Sequence, residues 1–185
     1  MERGVASLEL VVGPMTSGKT TELQRQYRRQ SSLPTSKVLV IKPEADTRDP
    51  HSVRTHDGRS IPCVRLKNLC DIISYCQADF LDASVVLIDE AQFFSDVVEG
   101  CKLILRYNKP LFVYALDGDR FQRPFGNICN LLPLCKTVKK LLAVCRCGRD
   151  APFTMSIDNM IGDEQLVPGG CEIYSPICES CLNSI

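Results

Sequence analysis

The sequence predicts an α/β chain: a P-loop parallel sheet covered by helices on both faces, followed by a small annex. Three observations predict it. Short unbroken apolar runs recur along the first two-thirds of the chain, among them residues 37–41 (KVLVI), 84–88 (SVVLI) and 111–116 (LFVYAL). Strands that are apolar on both sides belong to a parallel sheet buried on both faces. Helix-compatible segments alternate with these runs, which is the βαβ order. From about Lys136 the pattern breaks into short strand-like pieces that carry four close-spaced cysteines.

Taken in order, residues 8–12 (LELVV) form a β-rich run that ends in a glycine turn, and residues 18–29 are polar and helix-compatible. The run at 37–41 is a second buried strand, followed by a long polar loop over 43–58 rich in Asp, Thr, Arg and His. Loops of that length are commonly functional. Residues 66–76 suggest a helix, 84–88 a third strand, 96–106 a helix and 111–116 a fourth strand. Two units are therefore expected, a nucleotide-binding α/β domain over 1–135 and the annex over 136–185.

A chain of 185 residues with 44% hydrophobic content suffices for one buried core and a small appendage. Basic and acidic residues each number 22, so no overall positive field draws the chain to nucleic acid or an anionic membrane. Neither partner is expected. MERGVASLELVVG lacks the pattern of a secretory leader, and no apolar segment nears the roughly 20 residues that span a bilayer. The expected location is cytoplasmic. In a reducing compartment an odd count of 11 cysteines is no disulfide framework. Cys63, Cys70, Cys76, Cys101, Cys129 and Cys135 are expected as small buried apolar residues.

Gly13-Pro14-Met15-Thr16-Ser17-Gly18-Lys19-Thr20 fits G-x-x-x-x-G-K-[ST] and lies between an apolar strand and a helix. In that setting glycines let the backbone wrap a phosphate with N–H groups inward, Lys19 reaches the terminal phosphates and the Thr20 hydroxyl ligates magnesium. A carboxylate at a neighbouring strand end is needed to hold the same ion through its water shell. VVLIDE supplies Asp89, and Glu90 follows it on the rim. If Glu90 points into the cleft it can take a proton from water, giving an NTPase, or from an acceptor hydroxyl, giving a kinase.

The ordered set GPMTSGKT, DTR (46–48), THD (55–57), IDEAQFF (88–94), ALDG (115–118), PFG (124–126) and a final AVC…C…GG…Y…CxxC resembles the thymidine kinases of the cytosolic cellular type, shared by animals, bacteria and large DNA viruses. The resemblance covers nearly the whole chain. It implies ATP as donor, magnesium as cofactor, and the 5′-hydroxyl of thymidine as acceptor. Glu90 would be the general base, with Lys19 and Arg48 offsetting charge on the transferring group. Asp46 and the loop 55–57 would shape the donor side. Met15, Leu116, Thr154 and Tyr174 would surround the thymine methyl, and Phe93 would pack against the ring or sugar. The backbone around Val167, Gly169 and Gly170 would bind the base edge. A methyl-sized pocket is worth about 1–3 kcal/mol, so deoxyuridine is expected as a weaker substrate. The resemblance also implies a homotetramer and feedback inhibition by thymidine triphosphate.

Two departures stand out. The family commonly has one residue between LDG and FQR and another before PFG, whereas LDGDRFQRPFG carries its phenylalanine one place later. Either Arg120 or Phe121 then faces the nucleoside, Phe121 being the better stacking group. Met155 and Ser156 replace a basic pair that often follows the matching threonine.

Cys145 and Cys147, with Cys178 and Cys181 about thirty residues on, favour a tetrahedral zinc site over disulfides. The family has such a site with C-x-x-C in both halves, and here the first half is one residue short. A strictly extended strand would point Cys145 and Cys147 to opposite faces, so the chain must bend at Arg146, and Gly148 makes a turn plausible. Cys171 or Cys135 replacing one ligand is an open alternative. Four thiolates leave no site for water, so the ion would be structural, clamping the ends of a lid loop over 148–177 that closes on the nucleoside.

Two other classes compete. A helicase-type ATPase shares an acidic motif like VVLIDEAQ, but its second lobe has no room here. A zinc module for nucleic acid would place basic residues around the cysteines, and EIYSPICESCLNSI has neither lysine nor arginine.

Overall fold

The computed structural model describes residues 6–46, 52–54, 60–157 and 173–184. Along the first part run β1 (Leu8–Val12), α1 (Lys19–Ser31), β2 (Val38–Pro43), the short strands β3 (Ser52–Arg54), β4 (Ser60–Pro62) and β5 (Val64–Leu66), α2 (Ile72–Asp82), β6 (Val85–Ile88), α3 (Val97–Arg106) and β7 (Leu111–Ala115). After them come β8 (Cys135–Lys140), β9 (Ala143–Val144), β10 (Asp150–Ala151), β11 (Phe153–Ser156), β12 (Tyr174–Ile177) and α4 (Glu179–Leu182). Six strands form one sheet in the order β5-β2-β6-β7-β1-β8, and every pairing in it is parallel.

The unbroken apolar runs are explained by the two-sided burial of this sheet. Leu10, Val12, Ile41, Ile88, Val113 and Ala115 face one side, where Phe80 of α2 and Val97, Cys101 and Ile104 of α3 cover them. The alternate positions Val11, Val40, Leu87 and Tyr114 face the other side, against Leu23 of α1 and Val53 and Ile61 of the β3–β4 hairpin. Alternation of side chains along each strand thus feeds two separate cores. A third cluster, built on Ala143, Cys145, Ala151, Ile177 and Cys178, belongs to the cysteine-bearing part.

Three expectations need correction. Residues 66–76 are not one helix: Val64–Leu66 extends the sheet beside β2, a 3-10 turn follows at Leu69–Asp71, and α2 begins only at Ile72. The Asp96 carboxylate accepts the N–H groups of Leu69 (2.9 Å) and Cys70 (2.8 Å), which stops the chain from entering the helix earlier. The polar stretch 43–58 includes a strand, β3, paired antiparallel with β4. Strand β8, the outermost strand of the main sheet, has the polar sequence CKTVKK, which reads unlike a buried strand because its side chains are largely exposed at an edge. Of the isolated cysteines, Cys101 is buried and Cys63, Cys76 and Cys135 partly so, but Cys70 and Cys129 are exposed.

Helix α3 approaches the 3-10 turn closely at Gly100, where an added Cβ would stand 2.5–2.7 Å from Cβ, Cγ and Cδ2 of Leu69. Leu69 is fully buried and cannot swing away. Gly100→Val is expected to destabilise the chain by about 1–3 kcal/mol through overpacking. Urea unfolding checks this as a lower midpoint with an unchanged slope.

Candidate active site

Because all six strands are parallel, the segments that leave β1, β2, β6, β7 and β8 emerge at one edge of the sheet, and four of the expected groups emerge there. The phosphate loop leaves β1. It turns through Thr16 (φ 62°) and Gly18 (φ 85°), both left-handed, before α1 starts at Lys19. Ser17 N–H donates to Pro14 O at 3.3 Å. Lys19 is buried and donates Nζ–H to Gly13 O (2.9 Å) and Pro14 O (2.7 Å), so its ammonium lies folded over its own loop. The Ser17 hydroxyl is buried inside the loop with no protein partner. The start of a 13-residue helix, a lysine and a hydroxyl without a protein partner form a set that suits an anion such as phosphate. Gly13 is needed for a further reason: a Cβ there would lie 2.4 Å from Leu141 O, where the chain leaves β8.

Asp89 and Glu90 leave β6, separated from β1 only by β7, hence about 10 Å away at two strand spacings. Both are buried. Thr20 and Asp89 offer the hard oxygen donors that magnesium takes. Glu90, 9% exposed, has φ 49° and ψ 40°. A non-glycine residue held in that region costs about 1–3 kcal/mol and occurs mostly where geometry is over-determined. The Glu90 carboxylate accepts a hydrogen bond from Gln92 Nε2 at 2.5 Å, and Gln92 Oε1 accepts the Leu116 N–H at 3.0 Å. Asp46, at the exit of β2, is buried in an ion pair with Lys42 at 3.0 Å.

On the acceptor side Phe93 stands edge-on to Phe125, with centroids 5.9 Å apart. Leu116 follows β7 directly. Thr154 on β11 is buried, and its Oγ1 accepts the Met15 N–H at 3.0 Å, joining the cysteine-bearing part to the phosphate loop. Tyr174 is buried on β12, paired opposite Ser156. In the shifted segment Arg120 is the buried member, 8% exposed, and Phe121 the exposed one at 42%. The guanidinium groups of Arg120 (4.7 Å) and Arg123 (4.6 Å) both stand against the Phe121 ring. Asp119 holds this turn by accepting the N–H groups of Phe121 (2.8 Å) and Arg123 (2.9 Å) and pairing with Arg123 Nε (2.8 Å). Arg48, the loop 55–57, Cys171, and Val167, Gly169 and Gly170 lie outside the described residues.

The thiols of Cys145, Cys147, Cys178 and Cys181 lie within 4.8 Å of one another, with Cys147 and Cys178 Sγ 3.5 Å apart. Tetrahedral zinc with bonds of about 2.3 Å sets its ligand sulfurs about 3.8 Å apart, so the cluster is compatible with a structural zinc ion. The missing residue is accommodated by a full turn. Gly148 N–H donates to Cys145 O (2.8 Å), Cys145 N–H donates to Arg149 O (2.8 Å), and Gly148 sits at φ 85°. The chain therefore reverses between β9 and β10 and brings Cys145 and Cys147 to one side. Cys178 precedes α4 and Cys181 lies within it, one turn on. Hydrogen bonds from Arg149 hold the Cys147 thiol down at about 6. Contact with the Cys147, Cys178 and Cys145 sulfurs pushes Cys181 up to about 12. Four sulfurs so crowded cannot all ionise without a cation between them.

The family model for thymidine kinase matches residues 6–182. The chain belongs to the thymidine kinase family. It is 38% identical to the thymidine kinase of Monkeypox virus over 94% of its own length and 95% of that protein's. It is 39% identical to that of Myxoma virus (strain Lausanne) over 94% of each chain. It is also 39% identical to the cytosolic thymidine kinase of Cricetulus griseus over 94% of its own length and 72% of that protein's. The fold and the four-cysteine cluster agree with membership of this kinase family, and no helix among the described residues is long and apolar enough to cross a membrane.

Gln92, Lys42 and Asp119 are buried or ion-paired residues of the candidate site that the sequence reading passed over. Gln92 had a signal, a lone amide inside the otherwise apolar AQFF. Lys42 had one too, a charge at the end of an apolar strand with Asp46 four residues on. The purified protein is expected to contain about one zinc per chain, and Cys147→Ser to lose it together with thermal stability. Metal analysis beside a melting curve checks this; metal content near zero in a folded, active protein would remove the zinc assignment.

Proposed function

We propose that the chain transfers the γ-phosphoryl group of ATP to the 5′-hydroxyl of thymidine, and less efficiently of deoxyuridine, with Glu90 as general base. The observation that carries this reading is the buried Glu90 carboxylate fixed at the strand edge two strands from the phosphate loop. The loop backbone over 13–20 cradles the donor phosphates. Lys19 turns from its loop carbonyls to the terminal phosphates, and Arg48, outside the described residues, adds positive charge. Thr20 and Asp89 would hold magnesium, which would supply neutralisation of charge on the phosphate oxygens. Glu90 takes the proton from the 5′-hydroxyl as that oxygen bonds to phosphorus; the bridging bond breaks and ADP leaves with its electron pair. Positioning and electrostatics supply most of the acceleration.

The thymine ring would lie among Met15, Phe93, Leu116, Thr154 and Tyr174; Val167, Gly169 and Gly170, expected to bind the base edge, are outside the described residues. Phe121 is the candidate for stacking on the nucleoside, a role in which it would compete with the Arg120 and Arg123 guanidinium groups that stand against its ring. Asp46 acts through its pair with Lys42, as part of the donor-side wall. Cys145, Cys147, Cys178 and Cys181 would hold a structural zinc, which would tie together the two chain segments that flank residues 158–172. The chain divides into a nucleotide-binding unit, expected over 1–135, and a cysteine-bearing unit, expected over 136–185. Family membership is the support for a homotetramer, for feedback by thymidine triphosphate and for a cytoplasmic location.

Radiolabelled ATP should label thymidine most strongly, deoxyuridine less and deoxycytidine least. Glu90→Gln is expected to reduce transfer about 10²–10⁴-fold while ATP still binds. ATP hydrolysis without labelling of any nucleoside would overturn the reading.

A further inference from the structure

We infer that Gln92 is a positioning residue that locks the Glu90 carboxylate to the wall of the acceptor pocket. The inference rests on the reading of Glu90 as general base and adds a group that sets its direction. Gln92 is 4% exposed and sits in the 3-10 turn Ala91–Phe93 that follows β6. Its side chain spans two strand exits: Nε2 donates to Glu90 Oε2 at 2.5 Å, and Oε1 accepts from the Leu116 N–H just past β7 at 3.0 Å. The amide can be oriented only one way here, since the reverse orientation would set N–H against N–H and oxygen against carboxylate.

A bond to one carboxylate oxygen fixes rotation about the last side-chain bond, and so fixes where the other oxygen points. The backbone contributes as well, because Glu90 is held left-handed and its Cα–Cβ direction is set by the turn. The turn itself is pinned from above. Gly126, at φ 52°, lies so close that a Cβ would stand 2.7 Å from Gln92 O, and Phe125 before it packs on Phe93. Leu116 is a proposed contact of the nucleoside. One buried amide therefore ties the direction of the base to the pocket that holds the acceptor, and a base aimed wrongly by an ångström loses much of its effect.

The test is steady-state kinetics on the full chain. Gln92→Leu keeps the volume and removes both bonds; kcat is expected to fall about 10²-fold with the KM for ATP unchanged. Gln92→Asn keeps the amide but shortens its reach by one methylene, so it cannot span both bonds and is also expected to lower kcat with the KM for ATP unchanged. Should Gln92→Leu fail to fold, the split between kcat and KM in Gln92→Asn decides. Wild-type kcat in folded Gln92→Leu or in Gln92→Asn overturns the inference. Full activity of Glu90→Gln overturns instead the reading on which it rests.

Discussion

Strand direction is the constraint from which the site follows. Six parallel strands point their C-terminal ends at one edge, so chain segments far apart in sequence leave the sheet side by side. The phosphate loop after β1, the acid pair after β6, Leu116 after β7 and Asp46 after β2 share that edge without any loop having to travel to it. Two-sided burial keeps the arrangement rigid, since each strand is gripped by apolar side chains above and below. An antiparallel strand in the middle would have sent one of these groups to the opposite end.

The cysteine-bearing part depends on the same edge. The chain leaves β8 with Leu141 N–H bonded to Val12 O and Leu141 O against Gly13, then folds into the β9–β10 hairpin and returns along β11. Thr154 closes the circuit by bonding the Met15 N–H. The phosphate loop is thus touched on its first glycine by the segment entering the smaller unit, and on its third residue by a strand within it. The sheet edge and the smaller unit are registered to each other through the backbone of a single loop, so a displacement of β11 is felt at Met15 in that loop.

Much of this was legible because it is written in local patterns. The runs LELVV and SVVLI announced β1 and β6, and the glycine and lysine spacing after β1 announced the phosphate loop. The ordered motifs identified the family. What escaped depends on contacts between distant residues. Val64–Leu66 is too short and mixed to be seen as a strand without its neighbour β2, and CKTVKK becomes a sheet strand only because β1 accepts its backbone bonds. The reversal between Cys145 and Cys147 was foreshadowed by Gly148, but only the pairing of β9 with β10 makes it a turn rather than a kink. Gln92 was hidden for another reason: its partners lie two residues before it and 24 after, and a glutamine alone has no periodicity.

The turn over residues 145–148 bears on how the smaller unit assembles. Each half of the cluster is local: one pair of thiols is presented by a four-residue reversal, the other by the first turn of α4. Either half can grip an ion as a two-toothed chelate before the rest of the unit is organised. Were one half to capture a zinc ion, binding by the second would be an encounter within one chain across about thirty residues, at an effective concentration near millimolar. Metal capture would then precede closure, and the tighter reversal of the first half would have fewer conformations to lose before its two sulfurs converge.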